Sequence, residues 1–347
     1  MGKRRIAFVM EQTLGSVTHY LNLRAHESAA DGIAPLWLPI EFRPGRLPWA
    51  LRGSLLARRS LASVAEQVEG CFVHTTTLSL LSAGQFRRTP AVLSTDGTAL
   101  NKREVRAEYN LEPESGAARS LKRAVYLRAF RSARGFVVWS GWAKASLVQD
   151  YGCREEDVAV IPPGIDVRQF APGDRAHEIP RILFVGGDFQ RKGGSLLLDV
   201  FRKRLRGRAS LVLVTRDPVP AEPGVEVHPG LPANSPELRR LYAECDLFAL
   251  PTRADCFSIV CMEAMASGMP VVTTRVGGIP DIVREGETGH LVERDDPAAL
   301  GDALESLVSD ARRRSAMGEA GRADAIARFD AEGNARRLFQ FVASRCP

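Results

Sequence analysis

Short apolar segments alternate with helical patterns along almost the whole chain, and this alternation restricts the fold more than any other feature. Strands separated by helices build parallel sheets covered by helices. In the first half the strand candidates are RIAFVM (5–10), GCFVH (70–74), PAVLST (90–95), GFVVWS (135–140) and VAVIPPGID (158–166). Across PPGIDVRQFAPGDRAHEIP (162–180) proline and glycine crowd together and periodicity vanishes, which marks a linker. A second series follows: RILFVGG (181–187), ASLVLVT (209–215), VEVHPG (225–230), DLFALPT (246–252), PVVTT (270–274) and GHLVE (289–293). The expectation is an α/β protein of two Rossmann-like, doubly wound domains, residues 1–164 and 165–330, each of a size that suits one core. Residues 331–347 are expected to form a final helix that packs back on the first domain.

Composition excludes several classes. The 347 residues are 45% apolar and 25% charged, with no low-complexity tract. Six cysteines are scattered with no C-x-x-C pair and no metal-ligand spacing, so they read as reduced thiols. The start MGKRRIAFVMEQT has too short an apolar stretch for a signal peptide, and no run approaches the roughly 20 residues of a membrane span. A cytoplasmic location is expected, with the inner face of a membrane left open as a partner. The net charge of +6 is modest, but two acid-free runs hold five and six basic residues, at 43–60 and 119–134. A solvated face, a surface for anionic lipid and a site for an anionic acceptor all fit these runs. Nucleic acid does not, because no known module is present and the aromatics are not interleaved with the basic residues.

Ligands of doubly wound sheets bind beyond the carboxyl ends of the strands, which directs attention to two loops. After strand 181–187 comes GGDFQRKGG: Gly186 and Gly187 allow close backbone approach, Arg191 and Lys192 supply cations, and a helix starts behind them. Cations beside helix-start N–H groups suit a diphosphate, although a turn with solvated charges fits the same residues. The second loop lies in PTRADCFSIVCMEAMASGMPVV (251–272), where Asp255 and Glu263 stand in an otherwise small and apolar run. Ser258 is expected to cap the helix that follows. Eight positions at 100° each separate the two acids on the helix surface, so they are expected to flank one ligand, such as a sugar, rather than to neighbour each other. An ion pair for Glu263 and a turn closure for Asp255 are the structural alternative.

Three stretches, VVWSGWAKASLVQDYGCREEDVAVIPPGIDVRQFAP, LFVGGDFQRKGGSLLLDVF and LPTRADCFSIVCMEAMASGMPVVTTRVGGIPDIVREGETGHLVERDDPAALGDAL, resemble the family 4 glycosyltransferases. The resemblance covers nearly all of the second half and, more weakly, the first. It implies the GT-B architecture, two Rossmann-like domains facing each other across a cleft, and transfer of a sugar with retention of configuration. The family's E-x7-E element falls on Asp255 and Glu263, its phosphate-binding region on Gly187–Lys192, and its GG-I-P turn on Gly277–Pro280. Carried over residue by residue, Lys192 and Arg191 neutralise the donor diphosphate, Glu263 binds the ribose hydroxyls and Asp255 stands near the transferred sugar. Backbone groups of Phe257, Ser258 and Ile259 touch the sugar or phosphate, and the loop from His228 to Leu231 lies against the base. In the first half Gly15 approaches the diphosphate, and His74 is the candidate active-site histidine. On residue chemistry alone, a lone histidine after a strand is more often a hydrogen-bonded structural residue, and only the resemblance reverses that for His74.

Two departures stand out. Asp255 replaces the usual glutamate and is shorter by one methylene, about 1.5 Å. Gly187 replaces the usual arginine, and Arg191 is expected to take over its charge. The implied cofactor set is a UDP- or GDP-sugar donor with no prosthetic group and no metal, since no Asp-x-Asp motif precedes a suitable strand. The acceptor is a glycan, a lipid-linked sugar or a small metabolite. Competing functions are a non-catalytic sugar-nucleotide-binding subunit and a nucleotide-sugar epimerase of the same fold.

Overall fold

The computed structural model describes residues 2–13, 15–101, 116–175, 177–220 and 222–347. The described residues form two compact units, one from those up to 164 together with 331–347, the other from those in 165–330.

The first unit holds a six-stranded sheet built from β1 (Arg4–Gln12), β2 (Ile33–Glu41), β3 (Gly70–His74), β4 (Ala91–Thr95), β5 (Gly135–Val138) and β6 (Val158–Val160). Every pairing is parallel and the order is β2-β1-β3-β4-β5-β6. Both faces are covered, which explains why the strands read as unbroken apolar runs. On β1 the side chains alternate between two clusters: Ala7 and Val9 enter one, Ile6, Phe8 and Met10 the other. The second cluster is closed by Leu338, Phe339 and Val342 from the helix Ala331–Arg345. The Phe8 and Phe339 rings meet edge to face at 5.6 Å.

Strand β2 is absent from the sequence-based expectation. Its Pro35 and Pro39 argue against a strand, yet β2 pairs only with β1 and lies at the sheet edge, where a missing N–H on the outer side is tolerated. Strand β6 ends at Val160, short of the expected span, because two prolines follow it.

The second unit repeats the design with β7 (Arg181–Val185), β8 (Ser210–Thr215), β9 (Val225–Pro229), β10 (Leu247–Leu250), β11 (Val271–Thr274) and β12 (Gly289–Val292). Its strands are all parallel in the order β12-β11-β10-β7-β8-β9. Read outward from β7, this is the Rossmann order, and the chain reverses direction between β7 and β10. In the first sheet the corresponding reversal lies between β1 and β3. Helix starts are fixed by side chains: Ser140 accepts from the Ala143 N–H at 3.2 Å, Ser235 from Leu238 at 3.2 Å and Asp296 from Ala299 at 2.9 Å. Among the described residues no helix is long and apolar enough to cross a membrane.

Candidate active site

In the second unit the two loops singled out by sequence flank the β7–β10 reversal, and the fold stitches them together. The Arg253 N–H donates to the Arg191 carbonyl at 2.8 Å. The Thr252 hydroxyl donates to the carbonyls of Arg191 and Ala254, at 3.3 and 3.1 Å. Gly193 has φ +78°, and a Cβ there would stand 1.9 Å from the Pro251 carbonyl oxygen, so only glycine lets the loops approach this closely. Gly277 does the same from the other side: with φ +55°, its Cβ would lie 2.0 Å from the Asp255 oxygen. The Gly278 N–H then donates to the Cys256 carbonyl at 2.9 Å. The GG-I-P turn thereby seats the backbone that carries Asp255.

The charged side chains follow from that frame. Lys192 and Asp255 form an ion pair across the reversal. Arg191 does not stand beside Lys192 as a second open cation: its Nε donates to Asp188 at 3.0 Å and its Nη1 to the Ala254 carbonyl at 2.8 Å. It binds one loop to the other. Gly187, in turn, lies under the side chain of Arg216, a residue outside the motifs that pointed to the site. The signal available was a single cation directly after a strand, in LVLVTR.

Glu263 sits inside the helix Ile259–Ala266, 3% exposed, and accepts a hydrogen bond from the Tyr242 hydroxyl at 2.8 Å. Burial pushes its carboxyl up to about 7, and the Tyr242 bond opposes that shift in part. It pairs with no arginine among the described residues, which corrects the ion-pair alternative, and as expected it does not neighbour Asp255. Tyr242 lies on a different helix, beyond the reach of local patterning. Phe257, Ser258 and Ile259 are buried at the start of the Glu263 helix. Ser258 occupies the N-cap position but makes no side-chain capping bond there, which corrects the expected cap. At the far edge, His228 on β9 contacts Glu226 at 2.7 Å and Glu237 at 3.4 Å, and Leu231 follows a Gly230 N–H donated to the Thr215 carbonyl at 2.8 Å.

In the first unit, Gly15 opens the helix Gly15–Ala25 after β1. His74 ends β3 with 0% exposure. Its Nδ1 lies 3.1 Å from Ser94 Oγ, and its ring stacks on Trp139 at 5.2 Å. His19, also buried, packs 5.0 Å from His74, and burial holds its imidazole well below the ordinary histidine range. Sequence gave no warning of Glu11. This buried carboxylate lies one residue before the end of β1 and accepts from Trp49 Nε1 and from the Thr75 hydroxyl, which closes the β1–β3 reversal.

Away from both reversals the first unit carries a depression of about 450 Å³ lined by Arg87, Arg128, Arg131 and Arg134, beside Phe86 and Ser132. Residues 70–95 and 116–149, which supply this wall, contain no Asp or Glu.

Residues 179–310 match the family described as Glycosyl transferases group 1, and residues 19–169 match Glycosyltransferase Family 4. The chain belongs to the family 4 glycosyltransferases. Among relatives of this family 4 member, the D-inositol 3-phosphate glycosyltransferase of Corynebacterium kroppenstedtii is 32% identical over 72% of this chain and 61% of its own length. The enzyme of the same name from Nocardia farcinica is 36% identical over 50% of this chain and 44% of its own. The chain thus spans about half the length of the curated relatives it matches. Solved structures share the GT-B fold. A sucrose-phosphate synthase from Thermosynechococcus elongatus is 18% identical with a TM-score of 0.79, covering 99% of both chains. Anabaena HepE in complex with UDP-glucose is 17% identical with a TM-score of 0.76, covering 98% of this chain and 100% of its own.

Proposed function

We propose that this protein transfers a sugar from a nucleoside-diphosphate sugar to an acceptor hydroxyl, with retention of anomeric configuration and without a metal bridging the diphosphate. The observation that carries the reading is the Lys192–Asp255 pair at the β7–β10 reversal, with Glu263 one helix turn behind it. Cleaving the donor leaves negative charge on phosphate and positive charge on the anomeric carbon. A cation held in place before the reaction stabilises the first. On binding, the donor phosphate takes Lys192, and the released Asp255 carboxylate faces the sugar. Glu263 accepts from the ribose hydroxyls. The buried starts Phe257–Ile259 offer backbone N–H groups, and His228 and Leu231 border the base. In the first unit, Glu11 and the His74 floor at the β1–β3 reversal serve the acceptor.

Anabaena HepE, in complex with UDP-glucose, favours UDP over GDP as the donor base, and the relatives named for D-inositol 3-phosphate favour a phosphorylated polyol or sugar as acceptor. The acid-free arginine surface is read as a contact for the anionic inner face of a membrane, with the protein cytoplasmic. The test incubates the protein with UDP- and GDP-sugars and follows nucleotide release with acceptor extracts present. Release with formation of a glycoside of unchanged anomeric configuration supports the reading. Binding without release would point to a binding subunit, and a sugar of changed stereochemistry still on its nucleotide would point to an epimerase.

A further inference from the structure

The donor reading leaves the diphosphate short of positive charge. Lys192 is shared with Asp255, and Arg191 is committed to Asp188 and the Ala254 carbonyl. Arg216 is committed to nothing: among the described residues its guanidinium makes no ion pair and no side-chain hydrogen bond. Its position is nevertheless fixed from both sides. The Thr215 carbonyl accepts the Gly230 N–H at 2.8 Å, and Asp217 Oδ2 accepts the Phe189 N–H at 2.7 Å. These bonds tie the loops after β7, β8 and β9 together around Arg216. The side chain then lies across two glycines. A Cβ on Gly187 would stand 2.8 Å from Arg216 Nε and 3.0 Å from Nη2, and one on Gly230 would stand 3.0 Å from its Cγ. The guanidinium therefore fills the space that a side chain at position 187 would take.

We propose that Arg216 is the second cation of the donor diphosphate site. It enters from the β8 loop and delivers, through the gap left by Gly187, the charge that resemblance would place on residue 187 itself. This inference rests on the donor reading above. It also explains Gly187, since any side chain there would displace the guanidinium.

Calorimetric titration with UDP and UMP, and with GDP and GMP as the second pair, tests it. A guanidinium aimed at the diphosphate acts on the diphosphate more than on the monophosphate. Arg216→Gln is expected to weaken diphosphate binding roughly 10- to 100-fold, with monophosphate binding little changed and melting unaltered. The salt dependence of diphosphate binding should flatten at the same time. Arg216→Lys should recover only part of the loss, because a point charge replaces a planar fork. The double variant Gly187→Arg/Arg216→Gly, which moves the cation to the other loop, should recover most of it. Equal diphosphate affinity in wild type and Arg216→Gln would overturn the proposal and leave the donor reading intact. Failure of the wild type to bind either pair would remove the donor reading and the proposal together.

Discussion

Both sheets reverse direction beside their first strand, at β1–β3 in one unit and β7–β10 in the other, and both reversals are bridged by a carboxylate. The bridges differ in kind. Glu11 is met by an indole N–H and a hydroxyl, both neutral donors, whereas Asp255 is met by the ammonium of Lys192. A carboxylate with neutral donors has little to offer a phosphate and suits hydroxyl-bearing ligands, while an ion pair can exchange its carboxylate for another anion. Surface charge divides the other way. In the second unit Arg202 and Arg206 share Glu222, and Arg204 and Arg208 share Glu305. In the first unit Arg87, Arg128, Arg131 and Arg134 make no ion pair among the described residues. One topology thus carries an ion-paired pocket and a neutralised surface, and its sibling a carboxylate held by neutral donors and, elsewhere, an open positive patch.

The largest effect should come from breaking the charged bridge. Lys192→Ala is expected to lower turnover about 100- to 1,000-fold with the melting transition retained, as assayed by nucleotide release. Normal turnover would place the diphosphate elsewhere. Glu263 sharpens the contrast through pH. Its folded value of about 7 lies above the ordinary 4.5, so the folded protein holds this proton more tightly than the unfolded chain. The resulting stabilisation is complete below pH 4.5 and is lost as pH rises to about 7, an amount of about 3 kcal/mol at most. Glu263→Gln keeps an acceptor for Tyr242 and should remove that slope from urea melts between those limits; an unchanged slope would assign the titration to another group.

At the neutral bridge, Glu11→Ala leaves the Trp49 N–H and the Thr75 hydroxyl without their acceptor. A loss of about 1–3 kcal/mol in denaturant melts is expected, with a smaller effect on nucleotide affinity than Lys192→Ala. The reverse ranking would make the two reversals functionally alike. The smallest effect on activity is expected from Arg128→Gln/Arg131→Gln/Arg134→Gln. Binding to phosphatidylglycerol vesicles should weaken by about 1 kcal/mol per charge removed, with release of nucleotide in free solution unchanged. Vesicle binding that survives the triple change would assign the patch to solvent.

The fold was legible because most of the parallel strands are buried on both faces and leave apolar runs, and eleven of the twelve strands coincide with segments expected as strands. The edge strand β2 escaped because its prolines are permitted by a position in the sheet, which local sequence does not encode. Loops were legible where glycines and charges cluster, as in GGDFQRKGG. Partners across the fold were not. Arg216 and Gly187 lie on different loops, Tyr242 and Glu263 on different helices, and Glu11 and Thr75 on different strand ends. Each pair is joined only by the order of strands, so the sequence supplied the groups without their assignments.

The helix Ala331–Arg345 belongs to the first unit, and Cys346 lies so near Gly70 that a Cβ on that glycine would stand 2.5 Å from the cysteine Cβ. During synthesis the ribosome therefore emits the entire second Rossmann-like body before the piece that seals Phe8, Phe72 and Val137 under Phe339. The earlier-made half therefore stays partly uncovered on one face of its sheet until the later-made half has been synthesised.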